Sequence, residues 1–311
     1  MTRTGWSGLG ILLGWLAVLA VSGPSQIWAE EAKAESPSDC RYEHREGGTV
    51  EAAFPGDDVF RPLLADPKQP QFFAAWQAVR TRTERTSANV GSVGFGENFG
   101  FYTRRNGCNG WQVGILAGVF SQFNLDAPSS DLINTDFIVG VPLSWRSGNW
   151  SSRVRFYHQS SHLGDEFLLG RPGFNRLNLS YEEIEAILSY DFRWVRLYAG
   201  GGHLVHREPV SLDRNRAQWG GELRWPAMRS PVLSGELAGL TMTPVLGVDC
   251  KAFEELHWTV NTNVIGGLEW SRAGSLRRFR LLVNYYYGFN PYGQFFAQKI
   301  ESVGAGLYLT F

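Results

Sequence analysis

His158-Gln159-Ser160 is the part of this chain whose residue types and spacing could do chemistry. A neutral imidazole can take the proton of a nearby hydroxyl and make it a nucleophile towards an ester. A third polar group must hold the ring in the right tautomer. The spacing alone is weak, because the chain has 6 histidines and many serines. Position adds weight. Trp150, Val154 and Phe156 share one parity, while Ser151, Arg153, Arg155, Tyr157 and Gln159 share the other. On a membrane-spanning strand an arginine turned to lipid costs about 2–4 kcal/mol near the midplane. Arg153 and Arg155 therefore face the lumen, and His158 and Ser160 continue the outward parity. A polar pair there sits at the interface or works there. A nucleophile on that wall meets only substrates dissolved in the membrane, which points to lipid acyl esters. The competing reading is a pair of interfacial polar residues without catalysis.

The elements that must position this pair are strands. From about residue 94 the pattern has period two. Phe279, Leu281, Val283, Tyr285, Tyr287 and Phe289 alternate with Arg278, Arg280, Asn284 and Tyr286. Val303, Ala305, Leu307, Leu309 and Phe311 alternate with Ser302, Gly304, Tyr308 and Thr310. A soluble sandwich also alternates. Three features favour a barrel: strands of about ten residues or more, aromatic residues at strand ends, and a terminal Phe311 after an apolar strand. The expected fold is all-β, an antiparallel transmembrane outer-membrane β-barrel of about twelve strands. Counting back from the end places strands near 300–311, 278–289, 257–270, 243–253, 216–226, 193–206, 175–190, 149–160, 134–146, 111–122 and 95–105. A twelfth is expected within 84–94. With both ends periplasmic, the long stretches 123–133, 161–174 and 207–215 fall outside the cell. The long stretch 227–242 falls on the periplasmic side, against the pattern.

Composition agrees. Hydrophobic residues are 43 %, aromatic 14 % and charged 19 %, with 36 Gly and 12 Trp, which excludes a disordered chain. A mean hydropathy of −0.20 excludes a bundle of apolar helices. A net charge of −1 gives no field that would draw nucleic acid. Arg3, the apolar run from Leu9 to Val21, the break at Ser22-Gly23-Pro24 and the small residues after it read as a signal peptide. Cleavage is expected after Ala29, with Ala32-Lys33-Ala34 as the other candidate. The domains are thus signal peptide 1–29, periplasmic N-terminal arm 30–85 with a short helix around 72–79, and barrel 86–311. Cys40 could reach Cys108, since both are placed in the periplasm, whereas Cys250 lies on the other side.

The run His158-Gln159-Ser160-Ser161-His162-Leu163-Gly164-Asp165 resembles the His-x-Ser stretch of outer-membrane phospholipase A. Lipid A deacylase has a similar His-x-Ser on its outer wall. Phe174-Asn175-Arg176-Leu177 resembles the phospholipase's aromatic-Asn-Arg-Leu run. The resemblance implies Ser160 as nucleophile, His158 as general base, Asn175 as orienting residue and Asp165, five residues after the serine, as a calcium ligand. It covers about twenty residues. Ser161-His162 stands where the phospholipase has Asn-Gly, and the loop to Asn175 is three residues longer. Over the mature chain the sequence is similar to the bacterial family domain of unknown function 1207. That similarity rests on Phe120-Ser121-Gln122-Phe123, Leu125-Asp126-Ala127-Pro128-Ser129 and Tyr157 through Phe167. It implies an exported outer-membrane protein and no activity.

One strand is out of register. Asn175, Leu177, Leu179 and Tyr181 carry the apolar parity, whereas Ile184, Ala186, Leu188 and Tyr190 carry the opposite one. A bulge near Glu182-Glu183 reconciles them. Otherwise Asn175 faces the lumen, and Glu182 or Glu183 orients His158, as a Glu does in lipid A deacylase. His203 and His206 read as a metal pair or as strand-end residues beside Gly200–Gly202. Asp126, Asp131, Asp165 and Glu166 read as calcium ligands or as solvated loop charge. Arg153, Arg155, Arg196, Arg278 and Arg280 read as a basic channel lining or as a salt-bridged filling. The leaning is towards a serine esterase acting on phospholipid or lipopolysaccharide, with calcium as cofactor. The alternative is a non-catalytic barrel, a small channel or a structural protein. The expected partners are outer-membrane lipids, the barrel assembly machinery and a second copy of the chain, with no nucleic acid.

Overall fold

The computed structural model describes residues 48–82, 85–229, 240–272, 275 and 277–310. The expected signal peptide, Cys40 and Phe311 lie outside the described residues. A short strand β1 (Val50–Ala53) is followed by β2 (Phe72–Thr81), β3 (Ser87–Asn106), β4 (Asn109–Asn124), β5 (Leu132–Ser147) and β6 (Trp150–Leu163). After a one-turn helix α1 (Asp165–Leu169) come β7 (Leu179–Phe192), β8 (Val195–Glu208) and β9 (Asn215–Arg224). The two-residue β10 (Met228–Arg229) precedes β11 (Leu240–Phe253), β12 (Val260–Arg272), β13 (Arg278–Phe289) and β14 (Lys299–Thr310). β1 pairs only with β3, and β10 only with β11. The other described strands form a closed antiparallel 12-strand barrel, similar to outer-membrane barrel proteins. β14 closes it against β2, with Leu309 opposite Phe72.

Eleven of the expected strands are present as β3 to β9 and β11 to β14. The twelfth is not within 84–94, of which 87–94 belong to β3. It is β2, in the alanine-containing run that reads locally as a helix. Closure overrides the local preference. The backbone groups of β14 need a partner along their free edge, and β2 supplies it.

The alternation survives in three dimensions. On β6, Ser151, Arg153, Arg155, Tyr157, Gln159 and Ser161 are buried, whereas Val154 and Phe156 are exposed. On β13, Arg280, Leu282, Asn284 and Tyr286 point inwards, and Phe279, Leu281 and Val283 outwards. The outer surface is a broad apolar belt that includes Phe95, Phe99, Val141, Leu197 and Leu307.

Twelve strands enclose more space than wall side chains fill. Residues 57–71, expected in the periplasmic arm, occupy that space instead. Phe60 and Leu63 pack on Ile187 and Tyr198; Leu64 and Ala65 pack on Val245, Ile265, Leu282 and Tyr308. The inserted backbone is satisfied by the wall. Gln112 Oε1 accepts from Val59 N, Glu222 Oε1 accepts from Leu64 N, and Asn263 Nδ2 donates to Ala65 O. Charges are paired: Lys68 with Asp136 at 2.6 Å, Asp66 with Lys251 at 2.6 Å, and Asp57 with Arg105 at 2.8 Å.

The lumen arginines are a salt-bridged filling. Arg153 and Arg155 share Glu185, and Arg224, Arg278 and Arg280 share Glu269. Residues 290–298 fold back over the mouth, where Gly293 N donates to Asp136 and Gln294 N to Ser161 Oγ. Cys108 is disulfide-bonded and Cys250 is free.

Candidate active site

β6 turns His158 and Ser160 to the outer face by the same alternation that turns Arg153 and Arg155 inwards. His158 lies opposite Val139 on β5 and Glu182 on β7. His158 Nδ1 is 2.8 Å from Glu182 Oε1. An ionised carboxylate only accepts, so Nδ1 carries a proton, and in the neutral ring Nε2 then keeps its lone pair. This is the tautomer that a general base needs. Ser160 follows two residues along the same face, opposite Phe137 and Ser180. Its hydroxyl has no hydrogen bond to His158 in this state. Catalytic hydrogen bonds of an unliganded site often tighten only when substrate binds. His162 shares the face too, but its ring packs edge-on against Phe137, with centroids 5.8 Å apart.

Glu182 has a second imidazole. His206 Nδ1 is 2.8 Å from Glu182 Oε2. The backbone explains how it gets there. β7 pairs Glu183 with Leu204 but Glu182 with His206, so Val205 is the extra residue of a β-bulge on β8. Without the bulge His206 would follow Leu204 into the lumen; with it, His206 stands exposed on the outer face. The register break is at the expected level but on the neighbouring strand. β7 itself alternates regularly, and Leu179 and Tyr181 point inwards beneath the folded-back loop. Glu183 therefore faces the lumen, where it accepts from Tyr157 Oη and pairs with Arg216. A Cβ on Gly202 would collide with its Oε1, so the glycine makes room for this buried pair.

The structure brings together His158, Glu182 and His206, with Ser160 beside them. It does not bring Asn175. That residue is exposed in the loop before β7, four residues short of the strand, with no hydrogen bond to His158. β7 starts at Leu179, and its register with β6 puts Glu182 opposite the imidazole. Asp165 is exposed at the start of α1 beside Glu166. Among the described residues no group of three or more His, Cys, Asp or Glu could hold a metal ion. Asp165 and Glu166 therefore have no third such residue beside them among the described residues. His203 bonds Asn215 Oδ1 at 2.8 Å and is not paired with His206. His206's contact with Glu182 was not legible in the sequence, because the residue pattern puts the bulge on β7, whereas the extra residue is Val205 on β8.

Residues 31–311 match the model of a family described as a protein of unknown function, DUF1207. The chain belongs to that family. No curated protein matches the chain. Among solved structures it is similar to the calcium-bound dimer of the outer membrane phospholipase from Salmonella typhi, at 13 % identity and a TM-score of 0.51. That match covers 79 % of this chain and 93 % of the phospholipase. LpxR from Salmonella typhimurium is matched at 8 % identity and a TM-score of 0.38, over 77 % of this chain and 100 % of that one. The NanC porin is matched at 12 % identity and a TM-score of 0.39, over 77 % and 100 %. These likenesses concern the barrel and leave chemistry to the residues.

Proposed function

We propose that this protein is an outer-membrane serine hydrolase that cleaves acyl esters of membrane lipids, phospholipid or lipopolysaccharide. The observation that carries the reading is the 2.8 Å contact of Glu182 with His158 Nδ1 on the outer wall, with Ser160 next along the same face. The apolar belt below this group is a surface that a bilayer covers, so the hydroxyl would meet acyl esters at the edge of the hydrocarbon. His158 Nε2 takes the Ser160 proton as Oγ attacks the ester carbonyl. The proton then passes from Nε2 to the departing lipid alcohol, leaving an acyl-serine. Water, deprotonated by the same nitrogen, releases the fatty acid and restores the hydroxyl. Glu182 holds the ring and stabilises the imidazolium between these transfers.

The test is fatty-acid release from phospholipid and lipopolysaccharide vesicles by the purified protein. Ser160→Ala is expected to lower it by about 10³-fold or more. Equal release by both proteins would remove the reading. The second reading, a barrel without catalysis, draws on the missing Ser160–His158 hydrogen bond and predicts no release from either. Between those barrels the filled lumen favours a structural one over a channel.

A further inference from the structure

The lumen holds a cavity of about 140 Å³ near the loop end, bordered by residues 212–216, 255–256, 289–291 and 293. It lies inside the barrel, apart from the His158 group on the outer wall. Its lining is mostly apolar, with Ile138, Leu179, Leu204, Leu212, Phe253 and Leu256 among the walls. It also has bases: Lys68, Arg155, Arg214, Arg216 and Lys251.

Four of these bases are occupied. Lys68 donates to Asp136 and Lys251 to Asp66; Arg216 pairs with Glu183, and Arg214 donates to the Leu204 and Val205 carbonyls. Arg155 differs. It is 2 % exposed, and its Nε and Nη1 have no hydrogen-bond partner. Its Nη2 reaches Glu185 Oε2 at 2.6 Å, but the same carboxylate accepts from Arg153 at 3.0 Å. One carboxylate thus serves two guanidinium groups. A buried charge with unfilled donors is costly unless an anion meets it. Glu185 meets Nη2, and Asp66 and Glu183 lie near enough to act on the charge, but no wall acid accepts from Nε or Nη1. Asp249 accepts from Tyr198 Oη and Gln218 Nε2, and Glu255 accepts from the backbone of Asp213 at the rim.

We infer that the lumenal cavity binds a monocarboxylate with a short aliphatic tail, its carboxylate on Arg155 and its tail against the leucine walls. A dianion such as phosphate would set a second negative charge beside Glu185 and would leave the apolar walls uncovered. The inference is independent of ester cleavage on the outer wall.

The test uses the full-length protein in lipid nanodiscs and hexanoate, which is soluble and does not form micelles at the concentrations needed. Calorimetry is expected to show saturable binding of hexanoate, with acetate and hexan-1-ol each weaker by about tenfold or more. Arg155→Gln is expected to weaken hexanoate by about tenfold or more. Leu256→Trp, at the rim, fills the cavity without touching the buried charges and is expected to abolish binding. Ser160→Ala is expected to leave it unchanged, which separates this site from the outer-wall one. No hexanoate binding, equal binding of hexan-1-ol, tighter binding of inorganic phosphate, or unchanged binding in both Arg155→Gln and Leu256→Trp would each overturn the proposal.

Discussion

At the scale of single residues, the outer-wall group rests on one carboxylate shared by two imidazoles. Glu182 holds His158 and His206 through different oxygens, so its orientation is fixed from both sides. In the proposed hydrolase Glu182→Gln keeps an acceptor but loses the charge that stabilises the imidazolium. Lipid hydrolysis is expected to fall by about 10²-fold or more, measured as initial rate of fatty-acid release. Asn175→Ala is expected to leave that rate near wild type, because Asn175 stands clear of the imidazole. A large loss in Asn175→Ala with none in Glu182→Gln would reverse the assignment of the orienting residue. His158 and Ser160 could be picked out in the sequence because arginines on the opposite parity settle which way they point. Glu182 could be named only as one of two glutamates, since choosing between adjacent residues needs the true phase of β7.

At the scale of elements, the inserted segment 57–71 is held by paired charges and by buried acids. Lys68 is buried against Asp136 and over the ring of Tyr292. Lys68→Met leaves that carboxylate without its cation and is expected to cost on the order of 3 kcal/mol, read from the midpoint of urea unfolding. Adding Asp136→Asn is expected to recover part of the loss. Asp58 behaves differently. Burial, with Glu97 nearby, pushes its carboxyl up to about 7. The folded segment therefore holds a proton that the unfolded chain releases at an ordinary Asp value. Its stability should fall as pH rises from about 4 to about 7 and stay level above that. Protection factors of residues 57–71, corrected for the intrinsic pH dependence of exchange, are expected to be larger at pH 5 than at pH 8, and Asp58→Asn should flatten the difference. Equal pH dependence in the variant would exclude Asp58 as the source. None of this segment's role is visible in its polar, proline-containing sequence, because the groups that pair with it come from strands on every side of the lumen.

For the whole molecule, a barrel filled by its own N-terminal segment and capped by residues 290–298 is expected to pass little ion current. In planar bilayers the intact protein should show no steady conductance, and removal of residues 57–71 should raise it. Steady current through the intact protein would reopen the channel reading. The chain by itself determined the class of fold, the places of eleven strands and the outward parity of His158 and Ser160. Those follow from a period of two and from the cost of facing arginine to lipid, both of which are local properties. Tertiary structure alone decided the closing strand β2, the filled lumen, the absence of Asn175 from the group and the arrival of His206. Each depends on which distant backbone or charge lies opposite, and a one-residue bulge on β8 is enough to move a side chain from one face of the wall to the other.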